Sequence, residues 1–214
     1  MNEILQKIDL EISPLLGSRI VHVRSVCDEC RRLAAIFEMP SEQADKLCIA
    51  GMLHDITKCL YLDKQLVICK RYGIDTDISA SVLHSRTGAY KAREMFCEYV
   101  DDEVFSAIWC HTTGKTNMSL LEKLLYLADY IEPTRTFEDC VKLRDYFYSG
   151  IEKATDLRSR LRHLDMTLVL SFDMTIRALL RDGKQIDSET VRSRNYILNY
   201  LQSDKLRENG DNNG

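Results

Sequence analysis

AlaGlyMetLeuHisAspIleThrLys, residues 50–58, is the stretch on which the fold and its chemistry turn. Its apolar residues belong to a helix facing a core, yet the run ends in an imidazole and a carboxylate, His54 and Asp55. Such groups are costly to bury unless something satisfies them. The same anomaly recurs on both sides of the doublet. His22 stands in ValHisVal, His84 in ValLeuHisSer, His111 in TrpCysHisThr and Asp129 in LeuAlaAspTyr, each within an otherwise apolar helical segment. The chain has only five histidines in 214 residues, so four in one series are not scatter. One divalent metal, or two, would satisfy all six groups.

Around these residues helical periodicity dominates, with no convincing alternating strand. Helices are predicted over about 2–12, 18–38, 42–54, 63–72, 79–97 and 102–111. Ser13-Pro14 marks the first boundary, since proline is favoured just inside a helix start, and Ser41 is expected as an N-cap. Gly114 fits a stop after the sixth helix. Ser119-x-x-Glu122 has capping-box spacing and opens a helix over 119–131. Stretches 138–149, 151–181 and 188–203 complete an all-α reading, with one domain over 1–203. Residues 204–214 are polar and rich in Gly and Asn, and are expected to be a mobile tail.

Three prolines and nine glycines are few, which favours long helices over a turn-rich β protein. A net charge of −4 argues against broad affinity for nucleic acid or anionic membrane. The N-terminus reads as an amphipathic helix without a basic n-region, so no signal peptide is expected. No apolar run is long enough to span a bilayer. The cytoplasm is the expected compartment. The eight cysteines, at 27, 30, 48, 59, 69, 97, 110 and 140, are therefore expected as reduced thiols, mostly in the core. Cys27-x-x-Cys30 lacks a partner pair at zinc-site distance. His163, in a charged helix, is expected to face solvent.

Imidazole and carboxylate donors without a matching thiolate favour iron, manganese, cobalt or zinc. His54 and Asp55 lie about 100° apart around a helix, so both reach one centre while the carboxylate bridges to another. Asp129 arrives from a different helix. His84 and His111 exceed the needs of one site holding His22, His54, Asp55 and Asp129; two metals sharing Asp55 explain the surplus. Metals paired at about 3.5–4 Å can activate a water and clamp a phosphoryl oxygen.

A first His, a His-Asp doublet and a distal Asp, each on its own helix, resemble the HD-domain metal-dependent phosphohydrolases. The longer words narrow the likeness. AlaGlyMetLeuHisAspIleThrLys (50–58), LeuHisSerArgThrGlyAla (83–89), AlaIleTrpCysHisThrThrGly (107–114) and MetSerLeuLeuGluLysLeuLeuTyrLeuAlaAspTyrIleGluProThrArg (118–135) resemble the bacterial YqeK-like branch, over about 18–200. The resemblance implies an all-α HD-domain helical bundle with a dinuclear metal site between helices. It also implies two divalent ions, ferrous iron foremost with manganese or zinc as alternatives, and symmetrical hydrolysis of diadenosine tetraphosphate to two ADP.

Carried over by motif position, His22, His54, Asp55 and Asp129 would hold one iron. His84 and His111 would hold the second, with Asp55 bridging and serving catalysis. Lys58, three residues after Asp55, would neutralise phosphoryl charge near the nucleophile. Arg19, one helical turn before His22, and Arg135 would contact substrate phosphate, while Thr113 and Gly114 would offer hydroxyl and backbone donors. The chain departs from the family pattern at Ile20, Arg24 and Ser25, and at Ser85-Arg86 where a glycine usually follows the histidine. Arg86 thereby becomes a further phosphate contact.

The same ligands would serve a phosphodiesterase or nucleotidase acting on a cyclic dinucleotide or a nucleoside monophosphate. A nucleotide-sensing module is the reading from another class, though a pure sensor needs no activated water. The expected partner is a dinucleoside polyphosphate substrate, with neither nucleic acid nor membrane; a homodimer is left open.

Overall fold

The computed structural model describes residues 3–211, without the side chains of residues 80 and 205–211. Among the described residues it is all helical: α1 (Glu3–Leu16), a 3-10 turn (Gly17–Arg19), α2 (Ile20–Ile36), α3 (Ser41–Leu53), α4 (Leu62–Tyr72), α5 (Ala80–Met95), α6 (Asp102–Cys110), α7 (Leu120–Ile131), α8 (Glu138–Ile151), α9 (Leu157–Arg181) and α10 (Ser188–Asp211). The all-α expectation holds. No described helix is long and apolar enough to cross a membrane. The chain forms two compact units, Met1–Gly114 with Met118–Thr136, and Lys115–Asn117 with Phe137–Gly214.

In the first unit α2 packs chiefly on α3 and α7, and α5 on α6. The face of α2 that does this carries Val23, Val26, Cys27, Cys30, Leu33 and Ala34, all buried. Gly51 lets α3 come close: a Cβ there would lie 3.0 Å from Cys30 Sγ and 3.2 Å from Cys27 Cα. That close approach sits one turn before His54. Helix α7 starts where the capping box puts it, with Ser119 accepting from the Glu122 backbone and Glu122 accepting from the Ser119 N–H. Asp101 caps α6 in the same way through the Val104 N–H.

Several boundaries differ from expectation. Pro14 does not open a new helix; it sits inside the last turn of α1, which runs on to Leu16. Proline there removes one backbone hydrogen bond, and four buried side chains, Leu5, Ile8, Ile12 and Leu16, hold the helix against that loss. Pro40, not Ser41, occupies the cap position of α3. The helix expected over 151–181 is broken, because Asp156 and Ser159 form a capping box that starts α9 at Leu157. Helix α10 continues into the expected tail as far as Asp211; residues 212–214 lie outside the described residues. The cysteines are all free thiols, exposed only at Cys59 and Cys97.

The second unit is an α8–α9 hairpin with α10 packed on α9. His163 belongs to its interior contacts and does not simply face solvent: Nε2 lies 3.0 Å from the Phe147 carbonyl, and the ring lies against Tyr146 and Phe147. Gly150 makes room for it, since a Cβ there would fall 2.1 Å from the imidazole. Gly150→Ala should force the ring out and destabilise the protein by about 1–3 kcal/mol, the usual cost of overpacking. Urea unfolding checks this, and an unchanged midpoint would show that the ring can move freely.

Candidate metal centre

Five helices of the first unit deliver the six groups. His22 lies in the first turn of α2, His54 closes α3 with Asp55 directly after it, His84 lies in α5, His111 closes α6 and Asp129 ends α7. The Asp55 carboxylate stands in the middle, and its two oxygens face different partners. Oδ2 lies 3.6 Å from His22 Nε2 and 3.4 Å from His54 Nε2. Oδ1 lies 3.2 Å from His84 Nε2 and 3.8 Å from His111 Nε2. Asp129 Oδ1 closes the first set, 3.1 Å from His22 Nε2 and 3.7 Å from His54 Nε2.

Three rings are fixed from behind. His54 Nδ1 lies 2.7 Å from the Gly51 carbonyl and His111 Nδ1 2.7 Å from the Ile108 carbonyl. His22 Nδ1 lies 3.0 Å from Glu132 Oε1. A proton donated from Nδ1 leaves the lone pair on Nε2, aimed at the other ligands, as metal-binding histidines are normally held. The Nε2 atoms of His22 and His54 are buried without a hydrogen-bond partner. Acceptors turned inward among carboxylates, and otherwise unsatisfied, fit a divalent cation.

Sequence reasoning missed Glu132. It is fully buried and also accepts from the backbone and hydroxyl of Thr134. Burial would raise its pKa, but hydrogen bonds from His22, Ser25 and Thr134 bring it down to about 2. Its signal was its place three residues after Asp129, masked by Pro133, which made the segment read as a surface loop. Glu132→Gln should weaken metal binding by about 10- to 100-fold, as loss of an outer carboxylate behind a ligating histidine does. Titration with a competing chelator measures this; equal affinity would detach Glu132 from the centre.

The electrostatics point the same way. Burial opposes ionisation of Asp55 and Asp129, yet His54 and His84 around Asp55, and Arg135 beside Asp129, hold both far below the usual carboxylate range. Burial, reinforced by neighbouring imidazoles, pushes His111 down to about 3, and burial also lowers His84. Anionic carboxylates and neutral imidazoles are the forms that bind metal. Burial should lower His54 too, but Asp55 and Asp129 override it and raise it to about 10. The cause of that rise, two buried carboxylates beside one ring, favours positive charge at this point.

The residues expected to meet substrate divide into two groups. Arg19 donates from Nε to Asp55 Oδ2 at 2.7 Å, and Arg135 pairs with the Asp129 carboxylate. Lys58 Nζ lies 3.1 Å from His84 Nδ1. These three bring positive charge to the ligands themselves. The others are already engaged. Arg86 is buried, donating to the Trp109 carbonyl at 2.6 Å and the Thr113 hydroxyl at 3.1 Å, with its guanidinium over the Trp109 ring. Thr113 in turn donates to the Gly114 carbonyl. The Gly114 N–H closes onto the Cys110 carbonyl at 2.7 Å, at a positive φ that suits glycine at a helix end. Arg86, Thr113 and Gly114 thus brace the loop after His111.

The HD domain family model matches residues 19–134, more than half of the chain and all six of these groups. The chain belongs to the HD-domain family. This HD-domain chain is 31% identical over 187 residues to a symmetrical bis(5'-nucleosyl)-tetraphosphatase of Halalkalibacterium halodurans, covering 86% of this chain and 91% of that one. It is 31% identical over 183 residues to the enzyme of the same name from Staphylococcus aureus, covering 83% and 86%. Its fold matches the crystal structure of an HD superfamily hydrolase from Clostridium acetobutylicum, described as predicted and as involved in NAD metabolism. The TM-score is 0.74, with 32% identity over 91% of this chain and 97% of that one. The chain is an HD superfamily hydrolase.

Proposed function

We propose that this phosphohydrolase cleaves diadenosine tetraphosphate symmetrically to two ADP, using two divalent cations, ferrous by family likeness. The observation that carries the reading is the divided carboxylate of Asp55, one oxygen toward His22 and His54, the other toward His84 and His111. His22, His54, Asp55 and Asp129 would hold one cation, and Asp55, His84 and His111 the other. Two cations so held would supply a water acidic enough to attack phosphorus at neutral pH and would neutralise phosphoryl charge.

The chain's own residues do the rest. Lys58 Nζ meets the non-bridging oxygens of the attacked phosphoryl group. Arg19 and Arg135 keep the ligand carboxylates in place and present their remaining N–H groups to the phosphate chain, geometry for which guanidinium is suited. Arg86 acts through Thr113, as a positioning residue for the loop that carries His111. Both compact units serve a single hydrolase domain over 1–203, a reading supported by the curated relatives, which align across both.

Product analysis tests the activity. After anaerobic ferrous loading, diadenosine tetraphosphate should give ADP alone, and in oxygen-18 water one of the two ADP molecules formed per turnover should carry solvent oxygen. AMP with ATP would place attack at an outer phosphorus and overturn the symmetrical reading. Inertness toward dinucleoside polyphosphates, with turnover of a cyclic dinucleotide or nucleoside monophosphate, would assign the same ligands to a different nucleotide.

A further inference from the structure

We infer that the groove between α8 and α9 is a second nucleotide site, taking an aromatic base at one end and a phosphate chain at the other. The cavity has a volume of about 670 Å³ and shares no lining residue with the metal cluster. Asp139, Lys142 and Tyr146 recur on one face of α8, and Leu170, Met174, Arg177 and Arg181 on one face of α9. The two ends differ in chemistry. Near the turn that joins the helices, Tyr146 lies 5.1 Å from the His163 ring and is 37% exposed, and it shares the groove lining with apolar Leu170 and Met174. A partly exposed aromatic ring at the edge of a groove is a stacking surface for a base.

Away from that turn the α9 side of the lining becomes cationic, at Arg177 and Arg181, while Lys142 faces the groove from α8. Leu170 to Arg181 covers about 16 Å of helix axis, room for a base, a ribose and two or three phosphates in line. Among the described residues no hydrogen bond or ion pair ties up Arg177. Arg181 meets Asp182 through Nε, at 3.1 Å, a bond that leaves its two terminal nitrogens unengaged. Lys142 is shared with Glu138 across one helical turn. Both are exposed surface pairs, which contribute about 0–1 kcal/mol, so a phosphate displaces them at little cost. Asp139 is the only carboxylate in the lining against three cations. An apolar ligand would leave those cations unmet, and a bare phosphate would leave the aromatic end empty. A nucleoside di- or triphosphate meets both.

Calorimetric titration of the full-length, metal-loaded protein with ADP tests the site, with adenosine and tripolyphosphate as separate arms. Two ADP per chain are expected. Arg177→Gln with Arg181→Gln should weaken one of the two by roughly a hundredfold, about tenfold for each guanidinium removed, while turnover at the metal centre is unchanged. Tyr146→Ser should weaken ADP and leave tripolyphosphate alone, a split that a merely loosened hairpin would not give. ADP binding in the double variant with the same count and affinities as in the parent would overturn the proposal, as would tripolyphosphate binding as tightly as ADP. The second ADP of the count rests on the proposed activity. A metal centre that takes no nucleotide would lower the count by one in parent and double variant alike. Absence of the groove site would leave parent and double variant identical, so the two readings fail separately.

Discussion

Asp55→Ala is expected to leave a folded protein that retains neither metal ion. The residue sits at the turn after α3, 1% exposed, with one carboxylate oxygen toward His22 and His54 and the other toward His84 and His111. His111 also lies within ligand distance of His54 and Asp129, but it brings no charge, and Asp55 is the carboxylate whose two oxygens divide between the sets. Removing it leaves the His84–His111 side with two neutral imidazoles and no carboxylate, and the other side with Asp129 alone to balance a dication. The loss should exceed the roughly 10- to 100-fold that changes outside the ligand sphere produce. Helix content should survive, because α2, α3 and α7 are held by apolar faces, and the deletion also relieves the burial of a charge. Metal analysis after anaerobic loading and desalting reads the outcome beside the far-ultraviolet spectrum. His84→Ala provides the contrast: it should lose mainly one ion. Full occupancy in Asp55→Ala would end the shared-carboxylate reading, and equal loss of both ions in His84→Ala would end the division of ligands.

The residues of the centre could be read from the sequence because each breaks a local rule. An imidazole or carboxylate at a buried helical position stands out against its neighbours, and the capping box at Ser119 and Glu122 set the helix that carries Asp129. What stood behind those residues was harder to read. The ring of His22 is oriented by Glu132, which lies beyond the end of α7 next to a proline, where local pattern signals only a loop. Arg86 looks like a spare cation in sequence, since nothing local reveals that Trp109 and Thr113 will enclose it. Pro14 and the break before α9 were misplaced for related reasons. Tertiary burial of Leu16 outweighs a proline signal, and the break between α8 and α9 carries neither proline nor glycine, so only the Asp156–Ser159 cap marks the new helix start. Periodicity reports which face is buried. It does not report which polar groups meet across helices.

Lys58→Met is expected to keep both metal ions and lower kcat by about 100- to 1000-fold, the usual loss when one preorganised electrostatic contact to a reacting centre is removed. Lys58 follows the His-Asp doublet by one turn, and its Nζ lies 3.1 Å from His84 Nδ1 and 3.3 Å from Nε2. Burial beside the ligands lowers its pKa against the pull of Asp55 and Asp129. The contact with His84 cannot persist in its present form once that ring serves as a ligand. An imidazole that gives its Nε2 lone pair to a cation carries its proton on Nδ1, and that nitrogen no longer accepts from an ammonium. Lys58 then needs a new acceptor within reach of its tether, and a phosphoryl oxygen beside Asp55 is the one the reaction provides. This also explains why His84, alone of the four ligand histidines, has neither a backbone carbonyl nor a carboxylate at Nδ1. Methionine keeps much of the side-chain length and removes the charge, so metal content should be unchanged while kcat falls. Lys58→Arg should recover part of the rate by restoring charge with a different donor geometry. Parent-like kinetics in Lys58→Met would return the residue to the solvated surface, and loss of metal in the same variant would show that it supports His84 and does not act on substrate.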